Sequence, residues 1–246
     1  MNQQTPHLTD EQFQELLRLA GDSDSIELKL TVPANAYSAT ARALGMDPLD
    51  AQIRQVFFFD TPELKLNHAG LVVRARRVQG DNDDSTVKLR PVDPTKLPKK
   101  VRKSVHFGVE VDAMPGGYVC SGSMKAELGK RSVHDVAFEG KPIHTLFNKE
   151  QRACYETHAP DGIALDDLSI LGPITLLKLK FLAKGSKIPL VAEIWLFPDN
   201  TSILELSTKC APGQGVKVAG ELRAYLTKKS VPLDGEQSTK TKKALE

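Results

Sequence analysis

Phe58-Phe59-Asp60-Thr61-Pro62-Glu63-Leu64, with Gly70-Leu71-Val72-Val73-Arg74-Ala75-Arg76 a few residues on, decides how this chain is read. The β-branched and aromatic run 53–59 has strand character. Asp60-Thr61-Pro62 stops it, because proline brings no N–H to a ladder. After Gly70 the pattern alternates: Val73 and Ala75 point one way and Arg74 and Arg76 the other, as a period of two requires. An acidic, polar turn leads on to 86–90, so the two runs read as a hairpin.

Outward from that hairpin, other segments repeat the pattern. Residues 25–30 alternate Ile26, Leu28 and Leu30 with Ser25, Glu27 and Lys29. Strands are also expected at 105–112, 152–157, 163–168 and 174–181, and a hairpin at 191–197 and 202–207 across Pro198-Asp199-Asn200. Helices are expected after the capping box of Thr9 and Gln12, where Phe13, Leu16, Leu17 and Ala20 recur at helical spacing. Two more are expected at 34–44 and 216–227. Residues 114–150 lack alternation and read as a helical insertion. Residues 91–103, with three prolines and five basic side chains, read as a loop, either solvated or closing over an anion through Lys99, Lys100, Arg102 and Lys103.

The chain's 246 residues suffice for one β-rich domain, expected over 1–233, with a mobile polar tail at 234–246. Lys and Arg number 33 against 31 Asp and Glu, a balance of +2 that gives no reason to expect a nucleic-acid or membrane partner. The first residues have no apolar stretch of the signal-peptide kind and no later run is long enough to span a bilayer, so a cytoplasmic location is expected. Cys120, Cys154 and Cys210 match neither a disulfide framework nor zinc-ligand spacing and read as reduced thiols. Among the histidines, His68 and His106 could border a site. Trp195, a lone tryptophan on a late strand, reads as core packing.

The chemistry lies in charged pairs two residues apart: Glu27 with Lys29, Arg74 with Arg76, Lys88 with Arg90, Glu110 with Asp112, and Lys178 with Lys180. Each pair shares one strand face. Any one alone reads as a solvated face. With amphipathic helices to cover the opposite faces, the whole set converges inside a barrel or cleft. Such an interior makes physical sense around a charged ligand, since phosphate oxygens offset the repulsion among cations through charge-assisted hydrogen bonds. Carboxylates in the same cavity are suited to Mg²⁺ or Mn²⁺.

These residues resemble the CYTH domains, or triphosphate tunnel metalloenzymes, which include class IV adenylyl cyclases, thiamine triphosphatases and inorganic triphosphatases. Ile26-Glu27-Leu28-Lys29 is similar to the family's opening strand, Val87-Lys88-Leu89-Arg90 to its fourth and Val109-Glu110-Val111-Asp112 to its fifth. Lys178-Leu179-Lys180 and the stretch from Glu193 to Glu205 resemble the later strands; an alternative register uses Arg152 and Asp166. The resemblance implies an α+β, mainly antiparallel fold, an eight-stranded closed tunnel flanked by helices. Arg74, Arg76, Lys88, Arg90, Lys178 and Lys180 would grip a triphosphate. Glu27, Glu110, Asp112 and Glu205 would be available to Mg²⁺ or Mn²⁺, with Lys29 beside the reacting phosphate as the catalytic residue. Two positions depart from the family pattern: Ser25 and Ser207 stand where carboxylates are usual, and each removes a hard oxygen ligand. The implied activity is metal-dependent hydrolysis of an inorganic or organic triphosphate. Alternatives are cyclisation of ATP to cyclic AMP and a non-catalytic module that binds polyphosphate or a nucleotide.

Overall fold

The alternating segments pair edge to edge into a sheet that closes on itself. The structure, a computed structural model, describes residues 8–235, 237 and 240–245, of which 241 and 242 are described by backbone alone. In chain order the elements are α1 (Asp10–Gly21), β1 (Ser25–Val32), α2 (Tyr37–Leu44), β2 (Gln52–Asp60), α3 (Lys65–His68), β3 (Leu71–Val78), β4 (Asp84–Leu89), α4 (Lys99–Arg102), β5 (Phe107–Met114) and β6 (Gly117–Glu127). There follow α5 (Ser132–Glu139), α6 (Lys149–His158), β7 (Ser169–Leu182), β8 (Pro189–Leu196), β9 (Ser202–Cys210), α7 (Gly215–Lys228) and α8 (Lys240–Leu245).

The strands close in the order β1-β5-β6-β4-β3-β2-β7-β8-β9, with β9 antiparallel to β1. Among the described residues the barrel therefore has nine strands rather than the expected eight, and it is mixed, because β1 and β5 run parallel. The strand that sequence reasoning missed is β6. It lies in the segment read as a helical insertion, and its inward positions include Ser121 and Ser123, too small and polar to register as an alternating face. Two further expectations are corrected. Residues 152–157 belong to α6, whose Asn148 capping box starts a helix there, and 163–168 form a short turn before β7. Arg152 donates to the Phe147 carbonyl, and Asp166 pairs with His144 at the surface, so the register built on them does not form.

Two apolar layers hold the barrel from outside. Phe57 and Phe59 point away from the lumen and are met edge-on by Phe138 and Phe147, with ring centroids 5.9 and 6.0 Å apart. Each buried phenylalanine contributes about 1.5–3 kcal/mol by leaving water. On the opposite side, Leu30, Leu204 and Leu206 pack under Leu44 of α2 and Leu226 of α7. No helix among the described residues is long and apolar enough to cross a membrane.

The Asp60-Thr61-Pro62 stop has a structural purpose. The buried Asp60 carboxylate accepts backbone N–H groups from Thr61 (2.7 Å), Leu66 (2.9 Å) and Asn67 (2.9 Å), tying α3 to the end of β2. Gly70, at φ 74°, then brings the chain so close to β4 that a Cβ would lie 2.8 Å from the Arg90 carbonyl oxygen. That close approach aligns β3, and with it Arg74 and Arg76, toward the lumen. Replacing Asp60 with alanine leaves three buried donors without acceptors and should lower stability by about 2–4 kcal/mol. The check is a lower urea midpoint at unchanged slope.

Candidate active site: a cationic tunnel

The barrel's inward positions follow the period-two rule strand by strand. Glu27, Lys29 and Thr31 come from β1, Arg74 and Arg76 from β3, and Lys88 from β4. Glu110, Ser123 and Lys125 come from β5 and β6, and Lys178, Glu193, Trp195, Glu205 and Lys209 from β7 to β9. They surround a cavity of about 200 Å³ whose lining holds nine basic and four acidic side chains. The tunnel wall is therefore net positive even after Asp112, buried in its floor, is added to the acids.

Asp112 organises one side. It is wholly shielded from solvent, with Lys29 at 2.9 Å, Arg90 at 3.5 Å and Lys88 at 3.7 Å. Burial alone would raise its pKa, but the surrounding cations outweigh burial and hold it well below the usual carboxylate range. Lys29 also lies 3.1 Å from Glu27. Burial disfavours its charge, yet Asp112, Glu27 and Glu205 together push its pKa above the ordinary lysine value. These carboxylates favour Lys29 as an ammonium, able to position an oxygen anion.

Other cations lack such compensation. Burial, reinforced by Arg76, lowers the Arg74 guanidinium to about 10. Its Nε is inaccessible to water and has no hydrogen-bond partner. No carboxylate among the described residues comes within ion-pair distance of it. Burial lowers Lys88 to about 8 despite Asp112, and Lys125 is lowered by burial and by Lys209. Anionic oxygens that replace the lost water would stabilise such cations.

Of the cations expected to grip phosphate, Arg74, Arg76, Lys88, Arg90 and Lys178 line the cavity, but Lys180 is exposed and outside it. Arg76 is held by Asp84 at 2.9 Å and Lys178 by Glu193 at 2.8 Å. Sequence reasoning missed Arg54 near the mouth, together with Lys125, Glu193, Lys209 and Lys240. Parity identifies Lys209 and Glu193, which sit at even steps from Glu205 and Trp195. Trp195 is buried as expected, but it also lines the tunnel.

Three of the four expected metal ligands come together. Glu27, Glu110 and Asp112 place carboxylate oxygens within 4.8 Å of one another, with the Lys29 ammonium 2.9 Å from one Asp112 oxygen. This all-oxygen set fits a hard divalent cation. Ser207 donates to Glu27 (3.1 Å) and Ser25 to Glu110 (3.4 Å), so both serines support ligands rather than supplying charge. Glu205 stands apart from the trio, paired at 2.7 Å with Lys240 of α8. Lys209, paired closely with Glu110, competes for the same carboxylate.

No protein-family model matches the chain, and no curated protein matches it by sequence. Solved structures do. A Hippeastrum protein described as a "putative adenylyl cyclase" with a dominant triphosphatase activity superposes with a TM-score of 0.66 at 17% identity, over 89% of this chain and 93% of that one. A "putative adenylate cyclase" from Bacillus halodurans superposes with a TM-score of 0.62 at 12% identity, over 90% and 97%. The chain has a CYTH-like fold. The closed barrel is thus the expected tunnel with one strand more. A separate groove of about 350 Å³, between α1, α7 and the outer face of β1, is walled almost wholly by apolar side chains and lacks the tunnel's chemistry.

Asp112→Asn removes the charge that three buried cations share. It should cost about 3–5 kcal/mol of stability, seen as a lower urea midpoint, with much of the loss recovered when tripolyphosphate is added.

Proposed function

We propose that this protein binds a triphosphate-bearing ligand in the tunnel and hydrolyses it with the help of a divalent cation. The observation that carries this reading is Arg74, half-buried in the wall, with an inaccessible, unpartnered Nε and no carboxylate within ion-pair distance among the described residues. A phosphate oxygen supplies both the missing acceptor and the missing charge. The Hippeastrum protein's triphosphatase activity agrees with it.

In this reading Arg74, Lys88 and Arg90 take the oxygens of the phosphate chain, Arg76 and Lys178 flank them, and Lys29 fixes the phosphoryl group nearest Glu27 and Asp112. Charge builds on the bridging and terminal oxygens as a phosphoanhydride breaks, and preplaced cations in a water-poor cavity stabilise it without reorganising. Glu27, Glu110 and Asp112 would hold Mg²⁺ or Mn²⁺, which would supply Lewis-acid polarisation of a phosphoryl oxygen.

The decisive experiment measures phosphate release from tripolyphosphate and ATP with Mg²⁺ or Mn²⁺, with cyclic AMP followed in parallel. Free phosphate from the wild type, lost in Arg74→Ala, supports hydrolysis. Cyclic AMP as the main product would indicate cyclisation, and tight binding without turnover a binding module. Arg74→Ala should weaken tripolyphosphate about 10- to 100-fold, as expected for a charge-assisted contact of about 1.5–3 kcal/mol.

The ligand should also bind with a pH signature. Lys88, at about 8, loses its charge as pH rises through that value, whereas a phosphate beside it favours the protonated form. Affinity for tripolyphosphate should therefore fall between pH 7 and 9 with proton uptake on binding. Titration calorimetry in buffers of different ionisation heat reads this directly, and Lys88→Met should flatten the dependence.

A further inference from the structure

The two ends of the barrel are built differently, as the register shows. At one end lie Ser25, Lys209, Lys125, Glu127, Asp84, Arg76 and Arg54, polar and mostly charged residues near the starts or finishes of their strands. Arg76 and Lys125 there are shared between the tunnel and an open cleft of about 620 Å³ that Val105 and His106 also border. At the other end the inward positions of β2, β3, β7, β8 and β9 become apolar, with Val56, Phe58, Val72, Ile174, Trp195 and Ile203, while Lys88 of β4 stands level with Val72. α8 packs against this cluster through Ala244 and Leu245.

Three contacts fasten the plug. Lys240 reaches into the lumen to Glu193 and Glu205 with its ammonium 5.3 Å from the centre of the Trp195 ring. Gln237 pairs its side-chain amide with Thr31, accepting from its N–H at 2.9 Å and donating to its carbonyl at 3.3 Å. The β1–β5 pairing has already stopped at Leu28 opposite Ala113, so this amide continues the ladder in place of a strand. Gly235 runs so near β1 that a Cβ would sit 2.9 Å from the Thr31 carbonyl oxygen and 3.0 Å from Pro33.

We infer that the tunnel is blind, and that it takes only the unsubstituted end of a linear phosphate chain, inserted terminus first through the Arg76–Lys125 mouth until it meets Lys240. This rests on the triphosphate reading above and narrows its substrate class. Internal stretches of a chain, cyclic phosphates and chains capped at both ends do not enter. Whatever the phosphates are attached to stays outside, in the cleft beside Val105 and His106. Lys240 acts as a stop: it neutralises Glu193 and Glu205, whose carboxylates would otherwise repel the arriving anion.

Linear long-chain polyphosphate tests this, because a blind tunnel binds at chain ends and an open one can thread along the chain. Calorimetry without added metal should give at most two wild-type molecules per chain whatever its length, and none when both ends are capped as phosphoramidates. The Lys240→Ala/Leu245→Asp variant should exceed two per chain, rising with length. Wild-type stoichiometry that grows with chain length, or undiminished binding of capped chains, would overturn the inference. A tripolyphosphate control separates the two ideas, since its failure to bind the wild type would sink the phosphate reading itself. Closure has a ligand-free readout too, because Trp195 is the chain's one tryptophan. Acrylamide should quench its fluorescence several-fold more efficiently in the double variant, and in the milder Lys240→Gln to a smaller degree. Equal quenching in all three, with circular dichroism showing folded protein, would mean that α8 does not close the tunnel.

Discussion

A carboxylate buried among cations inside a closed sheet is the constraint on which the rest of the structure turns. Asp112 is shielded from solvent, and its charge survives because Lys29, Lys88 and Arg90 approach it from β1, β4 and the chain just after β4. Those side chains meet only if the barrel closes in this register, with β5 beside β1 and β4 reached through β6. One carboxylate cannot neutralise three cations. The excess is what makes the lumen a site for anions rather than a core.

A barrel interior of this kind does not hold itself together. Like charges repel across it, and each buried ammonium gives up hydration. Cohesion comes from the opposite strand faces, where Phe57 and Phe59 on one side and Leu30, Leu204 and Leu206 on the other bury against helices. The outside of the sheet carries the folding energy and the inside carries the chemistry, a division that the period-two geometry of strands permits.

Along its axis the lumen is divided a second time. One end opens to solvent, and the apolar sector at the other is filled by α8 and Trp195, so the tunnel becomes a pocket with a floor. Lys240 sits at the boundary between the two. Glu205 consequently faces a lysine rather than the Glu27, Glu110 and Asp112 trio, which leaves the oxygen-rich site with three carboxylates and two supporting serines.

Much of this is legible in the chain itself. The pairs Arg74/Arg76, Lys88/Arg90 and Glu110/Asp112 share strand faces because alternate residues on any strand must, and the Asp60-Thr61-Pro62 and Gly70 signals place the strand ends wherever the protein folds. Local geometry determines these. What the sequence left open depended on contacts between distant segments. The strand β6 carries small serines inward and is recognisable only by its partners β4 and β5. Residues 152–157 have the composition of a strand but form α6, because Asn148 and Gln151 cap a helix and Cys154 and Tyr155 bury against the outer sheet. The tail expected at 234–246 carries α8 and Lys240 in the lumen; residues 236, 238, 239 and 246 lie outside the described residues. Its composition is that of a solvated segment, and only the closed barrel, with Glu193, Glu205 and Trp195 already assembled, offers a buried place for its lysine. Propensity and period act over a few residues, whereas compensation of buried charge acts across whatever the fold brings together.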